Sequence, residues 1–372
     1  MSHLTYAEAL VVGLIQGVTE MFPVSSLGHN VLIPALIGGS WAQDLNVSKP
    51  ESPYLAFIVG LHVATAVAMI IYFWRDWLRI VRGFISSLSR RRIETADERL
   101  AWMIVLATIP VGIAGLLLEH AFRVVFSRPI PTSLFLMVNG LILYGGERLR
   151  RRSLATRGAA QTLPAGRLAD AAIPAAAVAG GPADVAGRAD TAVGPTVAGS
   201  AGPGPAVAGS AGSDAPPEPP VSHPSGNRAA RHEETAAGVA ADGRIAANSF
   251  GRAVLIGSAQ ILALLPGISR DGVVTVTGMF RGLSREDAVR FSFLLSAPVI
   301  LAAGVLKATD LTGPLGHGIH GQVLLGSLVS GIGAYLSVRF LVRYFQQART
   351  LTPFAVYCFV AGLGSLLYLT FR

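Results

Sequence analysis

Cysteine is all but missing from this 372-residue chain. Cys358 stands alone in an apolar run, which excludes an intrachain disulfide and a cysteine-based metal cluster and argues against redox chemistry. Charge is scarce as well: 14% of residues are charged against 51% hydrophobic, with a mean hydropathy of +0.52. Those proportions exclude a soluble or a disordered chain as a description of the whole and leave an integral membrane protein. Lysine is nearly absent. Lys49 and Lys307 are the only two among 30 basic residues, which outnumber 22 acids to give a net charge of +8. That sign suits anionic headgroups or a phosphate-bearing substrate, although cytoplasmic loops of membrane proteins are basic in general. There is no P-loop, dinucleotide fingerprint or nucleic-acid motif, so no nucleic-acid partner is expected. The N-terminus lacks a basic leader and carries Glu8 and Glu20 in its first apolar stretch. It is therefore expected to be retained structure and not a cleaved signal peptide.

Residues 151–249 are dominated by Ala, Gly, Pro and Ser, with runs at 199–212 and 215–220. Such a stretch buries too little apolar surface to offset its ordering entropy, and it reads as a disordered cytoplasmic insertion. Two hydrophobic blocks remain, 1–150 and 250–372. A membrane-spanning helix needs about 20 mostly apolar residues, and each block offers three: 54–74, 101–118 and 131–147, then 288–306, 321–341 and 353–371. Each block also opens with apolar segments too short or too broken to span, 6–22 with 26–37 and 250–265 with 272–280. These read as re-entrant helix hairpins, since broken backbone at membrane depth is tolerated inside protein or along a wet cavity.

Arginines orient the chain. A loop at 75–99 with seven arginines, and Arg148, Arg150, Arg151 and Arg152 after the third span, are cytoplasmic by the positive-inside rule. Arg281, Arg285 and Arg290, and later Arg339, Arg343 and Arg349, agree. Three crossings per block then make the halves inverted repeats. Gln16, Pro23 and Ser26 are echoed by Gln260, Pro266 and Ser269. The expected class is an all-α integral membrane protein of inverted-topology repeats, with about six transmembrane helices and two re-entrant hairpins. Broken helices of such repeats face each other near the midplane, where a site would form.

Two clusters at those breaks could carry chemistry. The first runs Gln16-Gly-Val-Thr-Glu20-Met-Phe-Pro23-Val-Ser25-Ser26-Leu27-Gly-His29. Gln16 and Glu20 share a helix face, and the break sets hydroxyls at a helix start. A carboxylate at membrane depth is expensive and usually paired or functional. The second runs Pro266-Gly267-Ile-Ser269-Arg270-Asp271-Gly-Val-Val-Thr275. It would present N–H groups and a guanidinium to a phosphate, whose oxygens the planar Arg fork binds in pairs. Structural readings exist for each: Ser25 or Ser26 as a helix cap, His29 as an interface histidine, and Arg270 as the partner of Asp271 or Glu20. His62 could line the cavity but reads first as an interhelical hydrogen-bond donor, Asn139 reads as interhelical glue, and His317 and His320 have no defensible metal spacing.

Gln-Gly-Val-Thr-Glu-x-x-Pro-Val-Ser-Ser-x-Gly-His followed by Pro-Gly-Ile-Ser-Arg resembles the undecaprenyl-diphosphate phosphatase family, the bacitracin-resistance proteins. The likeness covers both hydrophobic blocks and is expected to leave the insertion unmatched. It implies a bacterial plasma-membrane enzyme that hydrolyses the polyprenyl diphosphate carrier to monophosphate and inorganic phosphate on the outer side, recycling the carrier for cell-wall synthesis and conferring bacitracin resistance. By motif, the resemblance makes Ser26, His29, Glu20 and Arg270 catalytic. Gln16, Ser25, Gly267, Ser269, Asp271 and Thr275 become substrate-binding. It also implies a divalent cation, Mg2+ or Ca2+, on Glu20, with Gln16 and Asp271 as further ligands. Membrane lipids are expected partners, and the glycine-rich spans allow a homodimer. Leu27 and Asp271 depart from the family's usual Thr and Ser. Asp271 either competes with phosphate for Arg270 or restores a second carboxylate for a cation. The other readings are a polyprenyl-phosphate flippase and an inactive paralogue.

Overall fold

Thr5 starts the first helix. Its hydroxyl accepts the Glu8 amide at 3.2 Å while the Glu8 carboxylate accepts the Thr5 amide at 2.8 Å, a reciprocal cap that satisfies two N–H groups which a helix start leaves unpaired. Helix α1 (Tyr6–Met21) stops short of Pro23, which has no amide hydrogen to continue the ladder. Then come α2 (Ser26–Ile37), α3 (Gly39–Asp44), α4 (Pro53–Tyr72), α5 (Trp74–Arg90), α6 (Ala96–Phe126) and α7 (Pro129–Gln161). The second half holds α8 (Gly226–Ala246), α9 (Phe250–Ser258), a 3-10 turn (Ala259–Leu264), α10 (Arg270–Phe280), α11 (Arg285–Leu306), α12 (His320–Gln346) and α13 (Thr352–Phe371). The computed structural model describes residues 4–45, 53–126, 128–161, 226–307, 318–347 and 349–372, and no strand occurs among them.

Five helices are long and apolar enough to cross a membrane, at Ala96–Leu118, Pro129–Ser153, Arg285–Leu306, His320–Gln346 and Thr352–Phe371, and α4 with α5 makes a sixth if that bent pair is one span. Large side chains on these helices stay bare: Leu116, Leu117, Val305 and Leu324 are each more than 70% exposed. Apolar surface of that extent is stable against lipid and not against water. The helix pairs α1 with α2 and α9 with α10 are shorter than a span, as their sequence predicts.

Residues 1–157 and 231–372 form one compact unit, and 158–230 a second. Two expectations need correction. The arginine-rich segment 75–99 is not a loop, because Trp74, Leu78, Val81, Ile85 and Leu88 recur at helical spacing among the arginines and form α5, which turns 87° from α4. The edges of the expected disordered insertion are also helical, since α7 continues to Gln161 and α8 begins at Gly226. Near its C-terminal end α8 buries Ala241, Ile245 and Ala246, and its Asp242 accepts hydrogen bonds from Arg79 and Arg290, contacts that the composition of the segment hides. The rest of the insertion, 162–225, lies outside the described residues, as does His317.

Close approach of α1 to α12 sets the floor of the site. A Cβ at Gly13 would lie 2.6 Å from the carbonyl oxygen of Gly326, and one at Gly17 would lie 2.3 Å from that of Ser330. Larger residues would push α1 away, and with it the carboxylate one turn further on. A core of Phe73, Phe291, Phe293, Leu294 and Leu295 packs beside it and carries α11 against α10.

Candidate active site

Three polar residues hold the two helix breaks together. Ser25 lies at φ 68°, a left-handed conformation that costs a non-glycine residue energy. Its hydroxyl accepts the Gly28 amide at 3.2 Å, capping α2, and the Gly267 amide at 3.1 Å, joining the second break. Gly267 has φ 109°, and a Cβ there would sit 2.5 Å from the Thr132 carbonyl oxygen, so backbone geometry alone demands glycine. Ser269 caps α10 by accepting the Gly272 amide at 3.2 Å. From α7, the Asn139 side chain donates to the Pro23 carbonyl at 3.0 Å and accepts the Ser269 amide at 3.0 Å. One buried amide thus clamps both breaks. Asn139→Ala should strand the buried Ser269 amide and leave the Pro23 carbonyl only the weak Cys358 thiol at 3.8 Å, at a cost of about 2–4 kcal/mol. A lower thermal midpoint of the purified protein in detergent is the expected result, and an unchanged midpoint would refute the clamp.

Glu20 is the hub. It is buried near the C-terminal end of α1, and its two oxygens take four polar neighbours. Arg270 donates to Oε1 at 2.7 Å. Gln16 donates to Oε2 at 2.9 Å, the Ser26 hydroxyl donates to the same oxygen in a short hydrogen bond, and His62 Nε2 lies 3.4 Å away. These donors offset the penalty of burying a carboxylate. The Gln16 amide has a fixed orientation, because its oxygen accepts from Asn30 at 2.6 Å while its nitrogen serves Glu20.

Arg270 keeps unspent donors. Its Nε is buried without a partner among the described residues, and its Nη1 reaches the Ser296 carbonyl at 3.4 Å. Asp271 does not take them up. Its Oδ1 accepts the hydroxyls of Ser292 and Ser296 on α11, each at 2.7 Å, and Oδ2 has no partner among the described residues. Arg270 is therefore held by Glu20, and the neighbouring carboxylate is turned toward α11.

The sequence-derived set divides by geometry. Glu20, Ser26, Arg270 and Gln16 converge on one carboxylate. His29 stands apart: Nδ1 lies 2.7 Å from the Ser25 carbonyl and Nε2 2.7 Å from the Tyr357 hydroxyl, with the two rings stacked. Both ring nitrogens are thus engaged away from the Ser26 hydroxyl. Ser25, Gly267 and Ser269 shape the backbone, and Thr275 is buried along α10. His62 and Asn30 join the cluster, His62 in the cavity-lining role that was its second reading and Asn30 unforeseen. Each was visible as a polar residue inside an apolar stretch, yet only the fold aims them at Glu20 and Gln16.

The donor set bears on the implied cation. Hard divalent ions take several oxygen ligands, while the oxygens of Glu20 face hydrogen-bond donors and a guanidinium. Among the described residues no three His, Cys, Asp or Glu side chains converge. The arrangement does not fit a cation held by the protein alone.

A model of the family described as "Bacitracin resistance protein BacA" matches residues 9–175 and 230–364. An undecaprenyl-diphosphatase of Mycolicibacterium paratuberculosis is 52% identical over 371 residues, covering 100% of this chain and 99% of that relative. Undecaprenyl-diphosphatase 1 of Frankia casuarinae is 54% identical over 370 residues, 97% of each chain. An undecaprenyl-diphosphatase of Granulibacter bethesdensis is 33% identical over 367 residues, 98% of this chain and 97% of its own. These alignments run across the Ala- and Gly-rich segment that was expected to stay unmatched, whereas the family model omits 176–229. With both clusters inside the matched regions, the chain belongs to the bacitracin resistance protein BacA family.

Proposed function

We propose that this protein hydrolyses a polyprenyl diphosphate to the monophosphate and inorganic phosphate, the activity for which its relatives are named. One observation carries the reading: a hydroxyl and a guanidinium share a single carboxylate, which serves as the hydroxyl's proton acceptor, through the bonds of Ser26 and Arg270 to Glu20. The free edge of Arg270 binds the terminal phosphoryl group and stabilises the charge that develops on its oxygens. Ser26 attacks the phosphorus as Glu20 takes its proton, and the bond to the bridging oxygen breaks, releasing the lipid monophosphate. Glu20 passes that proton to the departing monophosphate and, a carboxylate again, takes one from the water that attacks the phosphoserine. This proton goes to the Ser26 oxygen as inorganic phosphate leaves, restoring the hydroxyl. No step depends on a protein-held cation, and a divalent ion would arrive on the diphosphate itself.

Orientation belongs to the same proposal. The arginine-rich ends of the spans favour the cytoplasmic side of the bacterial plasma membrane, and the paired serine-capped breaks at Ser25 and Ser269 support halves related as inverted repeats opening outward. Turnover there would recycle the cell-wall lipid carrier and confer bacitracin resistance. The test is phosphate release by the purified full-length protein given a polyprenyl diphosphate in detergent. Multiple turnover is the expected result, and protein that binds the lipid but releases no phosphate would overturn the proposal.

A further inference from the structure

Helix α5 differs from the spans. It leaves α4 at 87°, so that it starts where an apolar helix ends. Trp74, Leu78, Val81, Ile85 and Leu88 fall within an arc of about 80° on its wheel, and each is between 43% and 60% exposed. Ile80, Gly83 and Ser87 on another side are buried, and a Cβ at Gly83 would lie 3.0 Å from the backbone of Asp97. Arg75 and Arg82 occupy the flank between the two. A bare apolar ridge with an arginine flank is the build of a helix lying in the membrane interface.

The acids nearby are already spent. Asp76 and Asp242 each hold Arg79 and Arg290, and Asp97 holds Arg79. Glu98 accepts the amides of Glu94 and Thr95 and the Ser86 hydroxyl. No ion pair among the described residues holds Arg75 or Arg82, and the Arg75 guanidinium lies over the Trp74 ring at 5.3 Å. Both arginines line an open cavity of about 750 Å³ beside α5, together with Arg90 and Thr95.

We propose that α5 and this cavity form a binding site for an anionic phospholipid, separate from the Glu20 site, with the phosphodiester against Arg75 and Arg82 and the acyl chains along the Trp74 to Leu88 ridge. Charge complementarity selects the headgroup, and the span that ends at α5 supplies the bilayer. An arginine near an anionic membrane surface favours binding by roughly fivefold. Native mass spectrometry of the full-length protein, titrated with phosphatidylglycerol or phosphatidylcholine, tests the site. The wild type should retain phosphatidylglycerol preferentially, and Arg75→Gln with Arg82→Gln should lower that preference between about five- and thirtyfold. Neither arginine is ion-paired, so the double variant should keep the wild-type thermal midpoint. In vesicles, phosphatidylglycerol with brominated acyl chains should quench a component of tryptophan emission that Trp74→Phe removes. Undiminished preference in a folded double variant, or no quenching assigned to Trp74, would overturn the proposal.

Discussion

Arg270→Ala should lower phosphate release from a polyprenyl diphosphate by between about a hundred- and a thousandfold, the range for removing one preorganised donor from a developing oxyanion. Two effects combine. The terminal phosphoryl group loses the Nε edge that no other described residue uses, and Glu20 loses its cationic partner at 2.7 Å. The second effect also threatens folding, because a buried carboxylate without a countercharge is costly. Arg270→Lys separates the two. It keeps the charge but not the planar fork, so it should retain the thermal midpoint while recovering only part of the rate. Gln16→Ala is the comparison, since Gln16 reaches the chemistry only by steadying Glu20. Its loss should be about tenfold, the lower end of the range for one hydrogen bond to a charged group. Equal losses for Gln16→Ala and Arg270→Ala would count against a phosphate-binding role for the arginine.

Much of the fold was legible because a bilayer imposes a coarse rule. Runs such as 353–371 announce themselves by length and hydropathy, and the boundaries of α2 agree with the sequence reading. Helix α5 escaped because its arginines dominate the eye and its apolar residues are spaced one side of a helix apart. The buried edge of α8 escaped because Asp242 looks like any acid in an Ala-rich tract until Arg79 and Arg290 are brought to it across the chain. At the site, Glu20, Ser26 and Arg270 could be picked out as residue types, since each is unusual where it stands. What sequence could not supply was direction. Asp271 adjoins Arg270 in the chain yet faces Ser292 and Ser296, because successive residues at a helix start point to different sides. His29 matched a motif but is turned to Tyr357, whereas His62, a lone histidine in a span, lies beside Glu20. Asn139 was read as interhelical glue, and its amide does bridge helices, but that it grips both breaks depends on α7 passing between them.

Ser26→Ala should abolish phosphate release to at least about a thousandfold below wild type, and Glu20→Gln should cost between about a hundred- and ten-thousandfold, the range for removing a positioned general base. The two losses should not add, because the hydroxyl and the carboxylate act as a unit through one hydrogen bond. Their stability effects should differ. Ser26→Ala removes one donor from a carboxylate that keeps Gln16 and Arg270, so the fold should survive and lipid binding through Arg270 should persist. Acid quenching during turnover of a terminally radiolabelled diphosphate then identifies the attacking group. Label on Ser26 in the wild type and none in Ser26→Ala would establish the serine as nucleophile. Lost activity without a labelled wild-type intermediate would instead assign the attack to water and leave Ser26 orienting it toward Glu20. Full activity in Ser26→Ala would remove the hydroxyl from the chemistry altogether. Glu20 would then have to activate water without the hydroxyl that now donates to it across the break between α1 and α2.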